Sequence, residues 1–96
     1  MVKEKIIGIL GGMGPYATLD FFNILLNLTP ANKDWEHLHI IIDNNPKIPS
    51  RSRAIWLGEA SPVPLIKIAL KNLENAGADF IVIPCNTSHF FYEDFK

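Results

Sequence analysis

Three short apolar runs along the chain alternate with two longer stretches in which apolar residues recur at helical spacing. The runs are Lys5–Leu10, Leu38–Asp43 and Asp79–Pro84. Each run is short and continuous, and isoleucine dominates the first two, a pattern that is typical of strands buried on both faces of a sheet. The pattern therefore predicts three strands.

Two helices are predicted between these strands. The first covers Ala17–Leu28, and Pro30 prevents its continuation. The second covers Ser61–Ala76, where the serine can cap the start, Pro62 suits the first turn, and Gly77 suits a left-handed residue beyond the end. The positions expected to face the sheet are Leu19, Phe22, Leu25 and Leu26 in the first helix, and Leu65, Ile66, Ala69, Leu70 and Leu73 in the second.

The predicted order is β-α-β-α-β, followed by the start of another helix at Phe90–Lys96. Alternation of this kind favours a parallel sheet of about three strands with right-handed crossovers. The fold class is therefore α/β, a three-layer arrangement in a single domain that spans residues 1–96. Residues 44–59 are predicted to be a long loop after the second strand, and such loops are often functional.

The composition is that of an ordinary globular domain. Of the 96 residues, 48% are hydrophobic and 20% are charged, and the formal net charge is −1. These values argue against a disordered tail and against nucleic acid as a partner. We expect no membrane span and no signal peptide. The single cysteine cannot form an internal disulfide, so we expect a cytoplasmic protein with a reduced thiol.

Three unusual segments follow the predicted strands directly. They are Gly11–Pro15 after the first strand, Asn44–Arg53 after the second and Cys85–His89 after the third. Ligands of open parallel sheets bind beyond the carboxyl ends of the strands. The three segments therefore predict one functional site at that edge.

The glycine segment is compatible with more than one role. Glycines let the main chain approach a ligand, and amides at a helix N-terminus suit an anion, although a tight turn alone would also need glycine. Residues 12–17 match the G-x-G-x-x-G/A spacing of dinucleotide-binding loops. The acidic residue of that motif belongs about 20 positions further on, earlier than Asp43, and Pro15 removes an amide donor. A nucleotide- or phosphate-binding domain stays an alternative.

Arg51 and Cys85 are the candidates for binding and chemistry. An arginine can hold a carboxylate with two parallel hydrogen bonds, whereas loop arginines such as Arg51 and Arg53 can equally be solvated surface charges. Cys85 directly precedes the helix start predicted at Asn86–Ser88. A thiol there ionises more readily, and the thiolate is the reactive form; the alternative is a cysteine packed as a small apolar side chain.

A metal site is not predicted. His89 follows Cys85 by about one helical turn, but a metal ion needs three or four ligands. His37 and His39 flank the start of the second strand, at the far end of the predicted sheet.

Taken together, the three segments resemble the aspartate/glutamate racemase family. They read IGILGGMGP at residues 7–15, NPKIPSR at 45–51 and VIPCNTSH at 82–89. The first two forms are similar to those of the aspartate racemase branch, and the third resembles the first cysteine signature of the family. The three motifs occur in the expected order and are spread over most of the chain, from residue 7 to residue 89.

The resemblance implies racemisation of aspartate or glutamate without pyridoxal phosphate or any other cofactor. Two cysteines on opposite sides of the α-carbon exchange its proton, and the site lies between two similar α/β domains. By the match of motifs, Cys85 is the first cysteine, Arg51 binds a substrate carboxylate, and Met13, Asn86 and Thr87 contact the substrate. We then expect the chain to be the truncated N-terminal domain of a two-domain racemase.

The second cysteine of that scheme is absent, because Cys85 is the only one in the chain. A homodimer could supply a second thiol, and dimerisation would cover apolar surface that a chain of this length exposes. An inactive domain that binds the amino acid without turnover is the second alternative.

Overall fold

The computed structural model of the protein describes residues 4–85 and 91–95. Within these ranges β1 (Ile6–Gly11), β2 (His39–Asn44) and β3 (Phe80–Val82) form one parallel sheet in the order β2-β1-β3. The predicted α/β class and parallel sheet are confirmed. Each strand begins one residue later than the sequence indicates, and β3 is shorter than predicted.

One face of the sheet is covered by α3 (Val63–Asn75). Leu10 of β1 belongs to the main buried cluster together with residues of this helix. The predicted stripe is confirmed, with Ile66, Ala69 and Leu73 buried and Leu65 and Leu70 partly buried. Apolar side chains every three or four residues thus fix which side of α3 faces the sheet.

The two ends of α3 follow the sequence signals closely. Ser61 precedes the cap position, Pro62, and its hydroxyl accepts a hydrogen bond from the Val63 N–H at 3.2 Å. At the other end Gly77 has a φ of 103°. The Gly77 and Ala78 amides donate back to carbonyls of the last turn, each at 3.0 Å, so the helix ends in the expected left-handed turn.

The other face carries α1 (Pro15–Leu28), which begins two residues earlier than predicted. Its stripe is only partly as predicted, because Leu19 is 60% exposed whereas Phe22, Leu25 and Leu26 are half-buried. Thr18 takes the position closest to the sheet: a Cβ at Gly11 would lie only 2.5 Å from its methyl carbon. A glycine in β1 therefore lets the small threonine, not the leucine, face the strand.

The segment 44–59 is not a loop throughout, because it contains α2 (Arg51–Leu57). The Ser50 hydroxyl accepts a hydrogen bond from the Arg53 N–H at 3.2 Å, which caps the helix start. Gly58, with a φ of 66°, ends it. The prediction of a long loop was wrong here, although both signals are present in the sequence. A short 3-10 turn, Asp34–Glu36, also precedes β2.

The helix predicted at the end of the chain is present as α4 (Tyr92–Phe95). Phe95 is buried in the same cluster as Leu10 and Ile66, so α4 packs on the α3 side of the sheet. Among the helices of the described ranges, none is long and apolar enough to cross a membrane.

Candidate functional site

The three predicted segments leave the sheet at one edge. β1 ends at Gly11, β2 at Asn44 and β3 at Val82, and all three strands run in the same direction. The segments meet in a single buried cluster, to which Met13 and Ile48 belong and against which Cys85 packs. Side chains from three separate connections are therefore gathered at the carboxyl edge, where ligands of parallel sheets bind.

The glycine segment is held tightly between α1 and the second segment. Gly12 has a φ of 97°, and a Cβ at this position would overlap the main chain of Asn45. The Gly12 N–H donates to the Thr18 hydroxyl at 3.0 Å. Because this amide already has an acceptor, it is not available to cradle a phosphate, and the nucleotide alternative loses one of the donors on which it depends.

Met13 is the side chain that the glycine segment adds to the core. It is only 4% exposed and lies in the cluster with Ile48 and Phe95. Its contact with a ligand stays a prediction. Because so little of its surface is exposed, Met13 contributes mainly to the apolar cluster at this edge of the sheet.

The second segment is a compact turn that is fastened to the first. The Asn45 N–H donates to the Gly11 carbonyl at 3.3 Å, and its side-chain Oδ1 accepts from the Lys47 N–H at 3.0 Å. Ile48, three residues later, is buried. These hydrogen bonds and the buried isoleucine give the segment a defined shape.

Arg51, the first residue of α2, is turned back towards this segment. Its Nη1 donates to the carbonyl oxygens of Pro49 at 3.3 Å and Ile48 at 3.5 Å. Its Nε is buried and has no hydrogen-bond partner among the described residues. A buried donor without an acceptor is costly, so this Nε stands out among the polar atoms of the described residues.

Arg53 lies in a different environment. Its Nε is 2.6 Å from a carboxylate oxygen of Glu59, and both side chains are well exposed. The two arginines, whose loop positions are similar, are thus distinguished by their surroundings as well as by the motif that includes Arg51. Arg53 has its own counter-ion, whereas no ion pair is found for Arg51 within residues 4–85 and 91–95.

Cys85 lies three residues after β3 and is half-buried. Its N–H donates to the Ile83 carbonyl at 2.8 Å, and its side chain packs against the cluster that holds Met13 and Ile48. Asn86 and Thr87, the other predicted contacts, lie outside the described residues, as does His89. The helix start predicted at Asn86–Ser88 also stays a prediction.

Two of the hollows on the described part of the chain are large enough to note, and Cys85 lines neither of them. One, of about 230 Å³, adjoins the glycine segment on the α1 side. It is lined by Pro15, Thr18, Leu19, Phe22, Ile42 and Asn44. A larger one, of about 440 Å³, lies between α3 and α4 and includes none of the predicted site residues.

Sequence reasoning missed two residues that shape the site, Thr18 and Asn45. Thr18 gave no signal beyond being a polar residue inside an apolar helical pattern. Asn45 was noted only as part of a motif, and its role depends on main-chain hydrogen bonds that link distant segments. Within the described part of the chain, no group of three or more His, Cys, Asp or Glu side chains could hold a metal ion.

Most of the chain matches a family of known proteins. The model of the Asp/Glu/hydantoin racemase family matches residues 10–96. The chain therefore belongs to the Asp/Glu/hydantoin racemase family.

Individual relatives agree with that assignment. The broad specificity amino-acid racemase RacX of Bacillus subtilis is 37% identical over 94 residues, which are 94% of this chain and 40% of that protein. The solved structure of the aspartate racemase of Picrophilus torridus is 41% identical, with a TM-score of 0.92 over 96% of this chain.

An aspartate racemase homologue from Pyrococcus horikoshii OT3 is 25% identical, with a TM-score of 0.77 over 95% of the chain. The chain spans about 40% of the length of each of these three relatives. It corresponds to one part of their structure, so their activities extend to it only as a proposal.

Proposed function

We propose that the protein takes part in cofactor-independent racemisation of an acidic amino acid, aspartate or glutamate, and that Cys85 is one of two acid/base thiols. One observation carries the proposal. The only cysteine of the chain lies at the carboxyl edge of the sheet, against the cluster shared by the glycine segment and the segment that leads to Arg51. Family membership supports amino-acid racemisation as the reaction class.

The chemistry needs a base on one face of the α-carbon and an acid on the other. The Cys85 thiolate would remove the α-proton: the Cα–H bond breaks, an S–H bond forms, and the electron pair spreads into the adjacent carboxylate. A second thiol would then transfer its proton to the opposite face. Fixed donors around the carboxylate stabilise the charge that develops there, which lowers the barrier.

The charge of the site favours an acidic substrate. Arg51 offers a half-buried guanidinium whose Nε has no partner among the described residues. A planar guanidinium holds a carboxylate with two hydrogen bonds, and aspartate and glutamate each carry two carboxylates. Among the relatives, one solved structure is named an aspartate racemase. In the proposal, Met13, Asn86 and Thr87 also contact the substrate.

The proposed chemistry needs a second thiol from outside these 96 residues, because Cys85 is the only cysteine among them. We propose a homodimer in which a second copy provides it. Large apolar side chains near the carboxyl edge support an interface there, since Tyr16 in the first turn of α1 and Trp56 in α2 are 82% and 80% exposed. Tyrosine and tryptophan are enriched in protein–protein interfaces.

The proposal predicts that α-proton exchange depends on Cys85. The chain is incubated with L-aspartate in deuterated buffer, and loss of the α-proton signal is followed by NMR alongside chiral analysis of the amino acid. Wild-type protein should exchange the proton and form D-aspartate. Cys85→Ser should be slower by at least about 100-fold, the usual contribution of a positioned acid/base group.

Equal rates in the two proteins would contradict the proposal. If wild-type protein binds aspartate but exchanges no proton, the second candidate is favoured, a domain that holds the amino acid without turning it over. The observation behind that candidate is the single cysteine, because one thiol alone cannot act on both faces of the α-carbon.

A further inference from the structure

Thr18 is the one buried residue of α1. Its side chain forms hydrogen bonds with Gly12 and Gly14, the residues before and after Met13. The residue is 4% exposed. Its hydroxyl accepts a hydrogen bond from the Gly12 N–H at 3.0 Å and donates one to the Gly14 carbonyl at 3.0 Å. A buried hydroxyl that uses both its donor and an acceptor position fixes the groups that it joins.

The glycine segment is also confined by its lack of side chains. A Cβ at Gly11 would lie 2.5 Å from the methyl carbon of Thr18 and 2.7 Å from its hydroxyl. A Cβ at Gly12 would overlap the main chain of Asn45, on the other side. The segment is thus enclosed between α1 and the second segment, with no room for a larger residue at either position.

These contacts continue into the segment that carries Arg51. The Asn45 N–H donates to the Gly11 carbonyl at 3.3 Å, and the Ile48 N–H donates to the Asn45 carbonyl at 3.5 Å. Ile48 in turn offers its carbonyl to the Arg51 guanidinium. A continuous series of contacts therefore leads from the Thr18 hydroxyl to the cation of the proposed site.

We infer that Thr18 is a positioning residue for the amino-acid site: its hydroxyl fixes the glycine segment, and through Asn45 it fixes the segment that presents Arg51. The inference rests on the proposed function for the identity of the ligand. The hydrogen bond that holds the glycine segment can be measured without any ligand. Thr18 itself need not touch the substrate.

The test compares two substitutions at this position in the full chain. Thr18→Val keeps the shape and removes the hydroxyl, whereas Thr18→Ser keeps the hydroxyl. Hydrogen exchange of the Gly12 amide, followed by NMR, should become faster by about tenfold in Thr18→Val, the effect of losing one hydrogen bond. Thr18→Ser should restore the wild-type rate. Calorimetric titration should show aspartate affinity reduced by about fivefold or more in the valine variant alone.

Thr29 provides a matched control on the same helix. Its hydroxyl donates to the Leu25 carbonyl at 2.7 Å, at the end of α1 far from the glycine segment. Thr29→Val should leave both the Gly12 exchange rate and aspartate affinity unchanged, even if it lowers the melting temperature as much as Thr18→Val does. A purely structural role for Thr18 would leave the two valine variants alike in aspartate affinity, even if Gly12 exchanges faster in Thr18→Val, and that result would overturn the inference.

The two possible failures are separable. Wild-type exchange at Gly12 in Thr18→Val would overturn the inference, whether or not aspartate binds. Faster exchange in Thr18→Ser would also overturn it, because the hydroxyl is retained there. Absence of aspartate binding in wild-type protein would instead refute the proposed function, and the Gly12 measurement would still decide the role of Thr18.

Discussion

Arg51 and Arg53 are two residues apart, yet their surroundings give them different roles. Arg53 forms an exposed ion pair with Glu59, an interaction that typically contributes less than about 1 kcal/mol. Arg51 is half-buried, bonds to two main-chain carbonyls, and keeps a buried Nε without a partner among the described residues. Of the two arginines, Arg51 is therefore the one that we propose for the substrate carboxylate.

We predict that Arg51→Lys weakens aspartate binding by on the order of 1–3 kcal/mol, because lysine cannot reproduce the two parallel hydrogen bonds of a guanidinium. The stability of the fold should fall by no more than about 1 kcal/mol, since lysine still offers a donor to the carbonyls. Calorimetric titration and chemical denaturation measure the two effects separately.

Arg53→Lys is the matched control for that experiment, and it should leave aspartate affinity unchanged. Equal aspartate affinity in Arg51→Lys and wild-type protein would indicate that Arg51 is an ordinary surface charge. Loss of affinity in Arg53→Lys as well would indicate a nonspecific effect of charge or helix stability.

Residues differ in how far the sequence reveals their role. Cys85 stands out as the only cysteine, and both it and Arg51 belong to segments that resemble the motifs of a known family. Thr18 does not, because its function comes from the path of the main chain: the Gly12 N–H must point at its hydroxyl. No periodicity or composition encodes that path, and only the folded glycine segment brings the two groups together.

At the scale of elements, hydrophobic periodicity was sufficient wherever an element is buried on a defined face. The strands and α3 follow from it, and Gly77 ends α3 as expected. It failed for α2, because a helix of two turns at the surface has no apolar stripe to detect. Ser50 and Gly58, its start and stop signals, were the only available guide.

The stripe of α1 shows a different limit of sequence reasoning. Spacing alone favours Leu19 as a core residue, yet it is exposed and Thr18 faces the sheet. The reason is the glycine at position 11, which lets the start of α1 approach β1 closely. The remaining space holds a threonine side chain but not a leucine. A close approach of this kind depends on two elements together and cannot be read from either one.

The described chain leaves apolar surface of its sheet exposed to solvent. Its radius of gyration is 14.6 Å, larger than the value of about 12.5 Å expected for a compact domain of this length. Phe80 and Val82 of the edge strand β3 are exposed, although strands of parallel sheets are normally covered on both faces. The chain spans about 40% of the length of its relatives, and more polypeptide would cover these surfaces.

We therefore predict that the chain associates with itself at micromolar concentration, because burying exposed apolar surface is favourable. Sedimentation velocity should show a dimer or a larger species, and a clean monomer would contradict the prediction. If a dimer forms, a short bifunctional thiol reagent tests its geometry. Cross-linking between the two Cys85 residues would support a shared site, and its failure would mean that the thiols lie far apart.

The central claim is that the three segments at the carboxyl edge form one amino-acid site that contains Cys85. Alkylation of Cys85 by iodoacetamide at neutral pH tests it most directly, because the reaction reports on the thiol whether or not the chain turns substrate over. We predict reaction faster than that of a model thiol, slowed about tenfold when aspartate is present at roughly ten times its Kd. Slow alkylation that aspartate does not change would contradict the claim and make Cys85 a structural residue of the core.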